Sequence, residues 1–252
     1  MTKDLFNVRI IDTNVFLDII ITNRPRNTKA TQFYQQYSYG LGLIPPVIEE
    51  INSKSEQCAS IFLTILKDIT DKKEKEWNNA DIDERKKIIN EAYQKYAQKY
   101  SRDKEIIEYY LTALSQEYIG KDTNGIKDYV KEREADKKAL INVLAMHLNG
   151  YKIYFYPSSA IKQAANFEWK AKSKITDELA LFNKNDVSND LFILLYLMKL
   201  VKFGIKGLSG DFKIIFYTND NDFLRNGAQA LLKYDENEMT SFSKNIELIK
   251  PY

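Results

Sequence analysis

Short apolar runs alternate along the chain with stretches whose apolar positions recur at helical spacing. The short runs predict strands at residues 7–11, 41–45, 151–157, 213–218 and 246–250. Intervals of three and four residues predict helices from about Asn14, from Pro46, and over 159–172, 186–202 and 222–232. Because strands separated by helices are joined by right-handed crossovers, we expect an α/β fold with a parallel sheet covered on both faces.

Residues 53–149 differ in character from the rest of the chain. They keep helical spacing, carry dense charge of both signs and contain no convincing strand. Asn149 and Gly150 form a typical helix stop at the end of this stretch. We therefore interpret residues 1–252 as one domain, with a helical insertion or subdomain at 53–149, between the second and third strands.

Composition limits the functional classes without pointing to one. The 252 residues are 44% hydrophobic, enough for a sizeable core, and 37 basic against 35 acidic residues leave a formal charge of +2. The single cysteine, Cys58, excludes an internal disulfide and a cysteine-based zinc site. No apolar run approaches the roughly 20 residues that cross a bilayer, and no signal segment is evident. We expect a cytoplasmic protein that does not enter a membrane.

Acidic residues fall where the predicted strands end. Asp12 follows the first strand, Asp220 follows the fourth, and Glu50 lies in the first turns of the helix after the second strand. Asp186 and Asp190 are one helical turn apart near the start of a predicted helix. Because chemistry in parallel sheets gathers at the carboxyl ends of the strands, we expect these acids to share one edge.

A hard divalent cation would relieve the repulsion among such acids. Oxygen ligands without histidine or cysteine suit Mg²⁺ or Mn²⁺ better than zinc, and these ions promote phosphodiester hydrolysis. Each acid also has an ordinary structural explanation, since Asp12 or Asp186 could simply cap the helix that follows it. The only histidine, His147, lies among apolar residues, which excludes chemistry that needs two histidines.

The same segments resemble the motifs of PIN-domain nucleases, in chain order. VRIIDTNVFLDII resembles the first motif, LIPPVIEEI the second, NDLFILLYL the third and IIFYTNDNDF the fourth, over roughly residues 7–51 and 150–249. The resemblance implies a three-layer α/β/α fold around a parallel five-stranded sheet. It also implies a Mg²⁺- or Mn²⁺-dependent endoribonuclease that acts on single-stranded RNA, as a toxin or in RNA processing.

The resemblance assigns roles residue by residue. It gives catalysis and metal binding to four acids: Asp12, Glu50, Asp190 and Asp220. Two further acids are candidate metal ligands: Asp186 and Asp222. Four polar residues would support the site: Thr13, Asn14, Thr218 and Asn219.

Two basic segments are candidates for substrate contact. Trp169 lies beside Lys170 and Lys172, which would suit base stacking and phosphate contacts on a single strand. Arg24 and Arg26 form a second basic patch after the first helix. A surface helix with inward aromatics and a solvated loop are the simpler explanations of these two segments.

Other functions stay open at this point. The same acids and metals could cut DNA in a structure-specific deoxyribonuclease, and a PIN-like scaffold could bind RNA or protein without cleaving. A nucleotide-binding fold is disfavoured because the chain lacks a glycine-rich phosphate loop. We expect an RNA substrate, with DNA, an antitoxin or other protein partner, and a homo-oligomer left open.

Overall fold

A sheet of five parallel strands lies at the centre of one part of the molecule. The strands are β1 Phe6–Ile11, β2 Leu41–Leu43, β3 Tyr154–Phe155, β4 Phe212–Tyr217 and β5 Ile246–Ile249. Their order is β3-β2-β1-β4-β5, and every neighbouring pair is parallel. The computed structural model describes residues 6–37, 40–136, 138–140, 151–158, 187–221, 223–224 and 244–252. The predicted α/β fold with a five-stranded parallel sheet is confirmed, and its alternation of strands and helices is consistent with a three-layer α/β/α arrangement.

The chain divides into two compact units. The first, which we call the sheet unit, comprises Met1–Ile20, Pro25–Glu50 and Tyr151–Tyr252. The second, the helical unit, comprises Ile21–Arg24 and Ile51–Gly150. The stretch at 53–149 falls within the helical unit, whose described residues form helices and no strand. The interpretation of the chain as one domain with an insertion stays a prediction.

The sheet unit contains α1 Thr13–Ile20, α2 Asn27–Tyr37 and α9 Val187–Phe203 beside its strands. The helix predicted over 186–202 is therefore present as α9. The helices predicted over 159–172 and 222–232 lie outside the described residues, apart from a few at the start of the second.

The central strands are buried, as is usual in a parallel sheet. Val8, Ile10 and Ile11 of β1 have no exposed surface. The register pairs Ile11 with Tyr217, so the residues that follow, Asp12 and Thr218, also become neighbours. The N–H of Asp12 donates to the carbonyl of Tyr217 at 2.9 Å, which extends the pairing of β1 and β4 by one residue.

Helix α1 begins at once after β1. The Asp12 carbonyl accepts the N–H of Phe16 at 2.9 Å, so Asp12 stands at the helix N-terminus. Seven of the eight α1 residues are buried, including Asp18, which lies in an otherwise apolar run. A helix buried on nearly all sides leaves little water for that carboxylate, so it needs donors from the protein.

Strand β2 leads directly into the long helix α3 Pro45–Lys72, one residue before the predicted start at Pro46. Proline fits the first turn of a helix because its missing N–H would have no partner there. Gly42 in β2 is required by close packing, since a Cβ atom at this position would overlap the ring of Tyr156. The carboxyl ends of β2 and β1 lie side by side, with Ile10 paired to Gly42.

The helical unit continues from α3 through five further described helices. They are α4 Glu74–Asn79, α5 Ile82–Lys99, α6 Lys104–Ala113, α7 Ser115–Tyr118 and α8 Thr123–Ala135. Its largest fully buried side chains are Trp77, Tyr110 and Tyr118. The two tyrosine hydroxyls donate to backbone carbonyls, which lets polar groups enter the core. No helix in the described part of the chain is long and apolar enough to span a membrane.

Candidate functional site

Asp12 lies at the centre of a polar cluster at the carboxyl edge of the sheet. It is 4% exposed and accepts two hydrogen bonds, one on each carboxylate oxygen. The backbone N–H of Thr13 donates to Oδ1 at 2.7 Å, and the hydroxyl of Thr218 donates to Oδ2 at 2.9 Å. Both donors are neutral, so they fix the orientation of the carboxylate without cancelling its charge.

Glu50 joins this cluster from the first turns of α3. The hydroxyl of Thr13 donates to Glu50 Oε2 at 2.7 Å, across 37 positions of sequence. Thr13 is fully buried, and it contacts both acids because its N–H binds Asp12 while its hydroxyl binds Glu50. The neighbouring Glu49 is exposed.

Asp220 joins the cluster from the turn after β4. Its backbone N–H donates to the hydroxyl oxygen of Thr218 at 2.9 Å, and that hydroxyl in turn donates to Asp12. Thr218 is fully buried, while Asp220 is half-buried. A chain of hydrogen bonds therefore runs from Glu50 through Thr13, Asp12 and Thr218 to the backbone of Asp220.

The electrostatics of Asp12 show that these acids influence one another. Burial, and next the nearby charge of Glu50, raise the pKa of Asp12 from 3.8 to about 7. The hydrogen bonds from Thr218 and Thr13 lower the pKa, whereas the charge of Asp220 raises it. Three carboxyl groups from distant segments thus lie close enough for their repulsion to disfavour ionisation of the buried one.

The donor chemistry of the cluster suits a hard cation, since its acids offer oxygen alone. Within the described ranges, however, no group of three or more Asp, Glu, His or Cys side chains is arranged to hold a metal ion. The repulsion among Asp12, Glu50 and Asp220 would be relieved by a bound cation. These three side chains do not form such a ligand group by themselves.

The membership of the three other predicted acids in the cluster stays a prediction. Asp190 lies half-buried in the first turn of α9, and its contact with Asp12, Glu50 or Asp220 stays a prediction. Asp186 and Asp222 lie outside the described residues.

Some of the predicted supporting and substrate-binding residues lie in the described part of the chain, and others lie outside it. Asn14 is half-buried in the first turn of α1, and Asn219 lies next to Asp220. Arg26 is exposed in the sheet unit, while Arg24 is half-buried and belongs to the helical unit. Three predicted substrate contacts lie outside the described residues: Trp169, Lys170 and Lys172.

Two residues near the cluster escaped the prediction from sequence. Asp18 is 2% exposed, and its Oδ2 accepts the hydroxyl of Tyr252 at 2.8 Å. The Nδ2 atom of Asn219 lies 3.5 Å from the same oxygen. An aspartate inside the apolar run VFLDII was the available signal for Asp18, whereas nothing in the local sequence marks Tyr252 as its partner.

Comparisons with protein-family models, with curated proteins and with solved structures find no match to this chain. A functional assignment therefore rests on the geometry and chemistry of the site.

Proposed function

We propose that this chain is a metal-dependent nuclease of the PIN-domain type, which hydrolyses phosphodiester bonds of single-stranded RNA. The convergence of Asp12, Glu50 and Asp220 from three segments at one sheet edge supports this proposal. Mg²⁺ or Mn²⁺ is the proposed cofactor, because several carboxylates without nitrogen or sulfur ligands favour a hard cation.

The neutral donors around Asp12 support a cation site over a structural ion pair. A buried carboxylate that serves only the fold is usually paired with a lysine or arginine. The hydrogen bonds to Asp12 come instead from a backbone N–H and a hydroxyl, while the nearby charges of Glu50 and Asp220 are negative. No cation of the protein neutralises Asp12 through these hydrogen bonds, and a bound metal ion would favour its ionised form by offsetting the repulsion from Glu50 and Asp220.

The roles of the residues follow from these contacts. A bound Mg²⁺ or Mn²⁺ would supply an activated water and stabilise charge on the phosphate. Asp12, Glu50 and Asp220 would hold it, with Asp190 as a fourth acid. Thr13 orients two of these acids at once, and Thr218 orients Asp12 while it fixes the backbone of Asp220.

Cleavage assays on two variants test the proposal. With Mn²⁺ present, Asp12→Asn and Asp220→Asn should each lower the rate of RNA cleavage at least about 100-fold, the scale seen when one transition-state-stabilising group is lost. Asp128→Asn, a change at an exposed position of α8, is the matched control and should cleave like the wild type. Near-normal rates in pure Asp12→Asn protein would contradict the proposed mechanism.

The same assay tests which nucleic acid is the substrate. Parallel reactions on labelled single-stranded RNA, single-stranded DNA and DNA flaps should show a preference for the RNA strand. Faster cleavage of DNA or of flaps would point to a deoxyribonuclease with the same acids and metals.

A non-cleaving scaffold of the same fold is the second candidate. It is favoured by one observation, since the described residues contain no group of three ligands arranged for a metal ion. Such a scaffold would bind RNA or a protein partner without binding Mn²⁺, so metal binding and cleavage together separate it from the nuclease.

A further inference from the structure

We propose that Tyr252 is a positioning residue, which holds the turn of Thr218 and Asp220 in place through Asp18 and Asn219. The proposal rests on the proposed nuclease function, since it assigns this residue a role in that site. The first observation is the burial of Asp18, which has 2% of its surface exposed. Its Oδ2 accepts the Tyr252 hydroxyl at 2.8 Å, so the tyrosine supplies a donor that this buried carboxylate needs.

Asn219 connects this buried pair with the acid cluster. Its Nδ2 atom is 3.5 Å from Asp18 Oδ2, the upper limit of a hydrogen bond, and the Tyr252 hydroxyl donates to the same oxygen. Its Oδ1 atom is buried and has no hydrogen-bond partner. The amide is therefore held from its nitrogen side, where Asp18 and Tyr252 lie.

The backbone transmits any movement of Asn219 to both neighbours. Thr218 precedes it and donates to Asp12, while Asp220 follows it and donates its N–H to Thr218. A rotation or shift of Asn219 would change the distance between Asp12 and Asp220. The two acids that the proposed function requires thus depend on a contact made outside their own cluster.

Tyr252 is itself well fixed for this role. Its ring lies 6.1 Å from that of Phe33 in an edge-on arrangement, and Phe33 packs in the same way on Tyr217 at 4.8 Å. Burial and the charge of Asp18 raise the pKa of Tyr252, so the hydroxyl stays protonated and acts as a donor. Tyr252 is therefore held at two points, by its hydroxyl on Asp18 and by its ring on Phe33, which in turn packs on Tyr217 next to Thr218.

The test is Tyr252→Phe, which removes the hydroxyl and keeps the ring. We expect kcat for RNA cleavage to fall about three- to tenfold with little change in KM, less than the ~100-fold effect of a 1 Å misplacement. The Mn²⁺ concentration needed for half-maximal activity should rise. Amide hydrogen exchange at Asp220 should become faster, because its N–H bond to Thr218 depends on the same turn.

Two comparisons separate positioning from a general loss of stability. Tyr96→Phe removes a hydrogen bond of the same kind and length, from a tyrosine to Asp68 at 2.8 Å in the helical unit, and should leave kcat and the Mn²⁺ requirement unchanged. In a double-mutant cycle, Asp18→Asn and Tyr252→Phe should together lower kcat by less than the product of their separate effects.

Unchanged kcat, Mn²⁺ requirement and Asp220 exchange in Tyr252→Phe would overturn the proposal, as would independent effects in the cycle. Failure of the nuclease itself gives a different result. If the wild type cleaves no RNA while Tyr252→Phe still speeds exchange at Asp220, the positional role stands and the proposed function fails.

Discussion

On folding, Asp12 leaves water and gains hydrogen bonds only from neutral groups, the Thr13 N–H and the Thr218 hydroxyl. Its pKa rises to about 7 because burial and the charges of Glu50 and Asp220 outweigh those two bonds. The folded protein therefore keeps a proton on Asp12 that the unfolded chain releases above pH 3.8. In the absence of metal, the ionised carboxylate opposes folding.

The pH dependence of stability follows from this shift. The unfavourable contribution of Asp12 begins as pH rises through the unfolded value near 4 and is complete once pH exceeds about 7. Asp12→Asn removes the charge, and its amide can donate to Thr218 Oγ1 while its oxygen accepts from Thr13. The variant should gain stability over the wild type in metal-free buffer, and this gain should be larger by about 2–3 kcal/mol at pH 8 than at pH 5.

Urea unfolding at the two pH values measures this difference. Asp68→Asn is a control of opposite sign, because hydrogen bonds from Lys72 and Tyr96 lower the pKa of Asp68. Its ionised form is favoured by the fold, so this substitution should reduce stability at pH 8. A stability difference between Asp12→Asn and the wild type that is the same at both pH values would contradict the shifted pKa.

At the scale of the elements, sequence periodicity predicted the strands well where their partners are long. β1 and β4 pair over six residues, and both were placed within one residue. The run at 151–157 predicted a longer strand than β3, which has two residues. Its partner β2 has only three residues, and Pro157 has no N–H to continue a ladder, so pairing ends early. The length of β3 is thus limited by its partner strand, and the apolar run of β3 does not reveal this limit.

Gly42 lies where these two short strands pair, and it gives a prediction at the same scale. A Cβ atom at this position would overlap the Tyr156 ring, so Gly42→Ala should displace the ring and destabilise the protein by about 1–3 kcal/mol. Gly120→Ala is the matched control, since nothing lies within 4 Å of a Cβ atom there. Urea unfolding compares the two variants, and equal effects would argue against the close packing of Gly42 on Tyr156.

At the scale of the whole molecule, parallel pairing explains why part of the site was predictable. Asp12, Glu50 and Asp220 each follow a strand, and parallel strands end at one edge, so their approach could be expected without coordinates. The contact between Tyr252 and Asp18 joins residues 234 positions apart and has no local pattern. The predicted start of the helical insertion at residue 53 was also not visible as a break in the structure. Helix α3 runs from Pro45 to Lys72, because the helical spacing of its apolar residues continues across residue 53.

Mn²⁺ binding by the complete chain tests most directly whether the three acids form a cation site. Titration calorimetry with matched thermal unfolding should show binding to the wild type and a higher melting temperature in millimolar Mn²⁺, because the ion binds the folded state. Asp12→Asn should lose most of both effects, and Asp128→Asn should retain them. A wild type that neither binds Mn²⁺ nor gains stability from it, or an Asp12→Asn variant that binds equally well, would contradict the proposed metal-dependent nuclease.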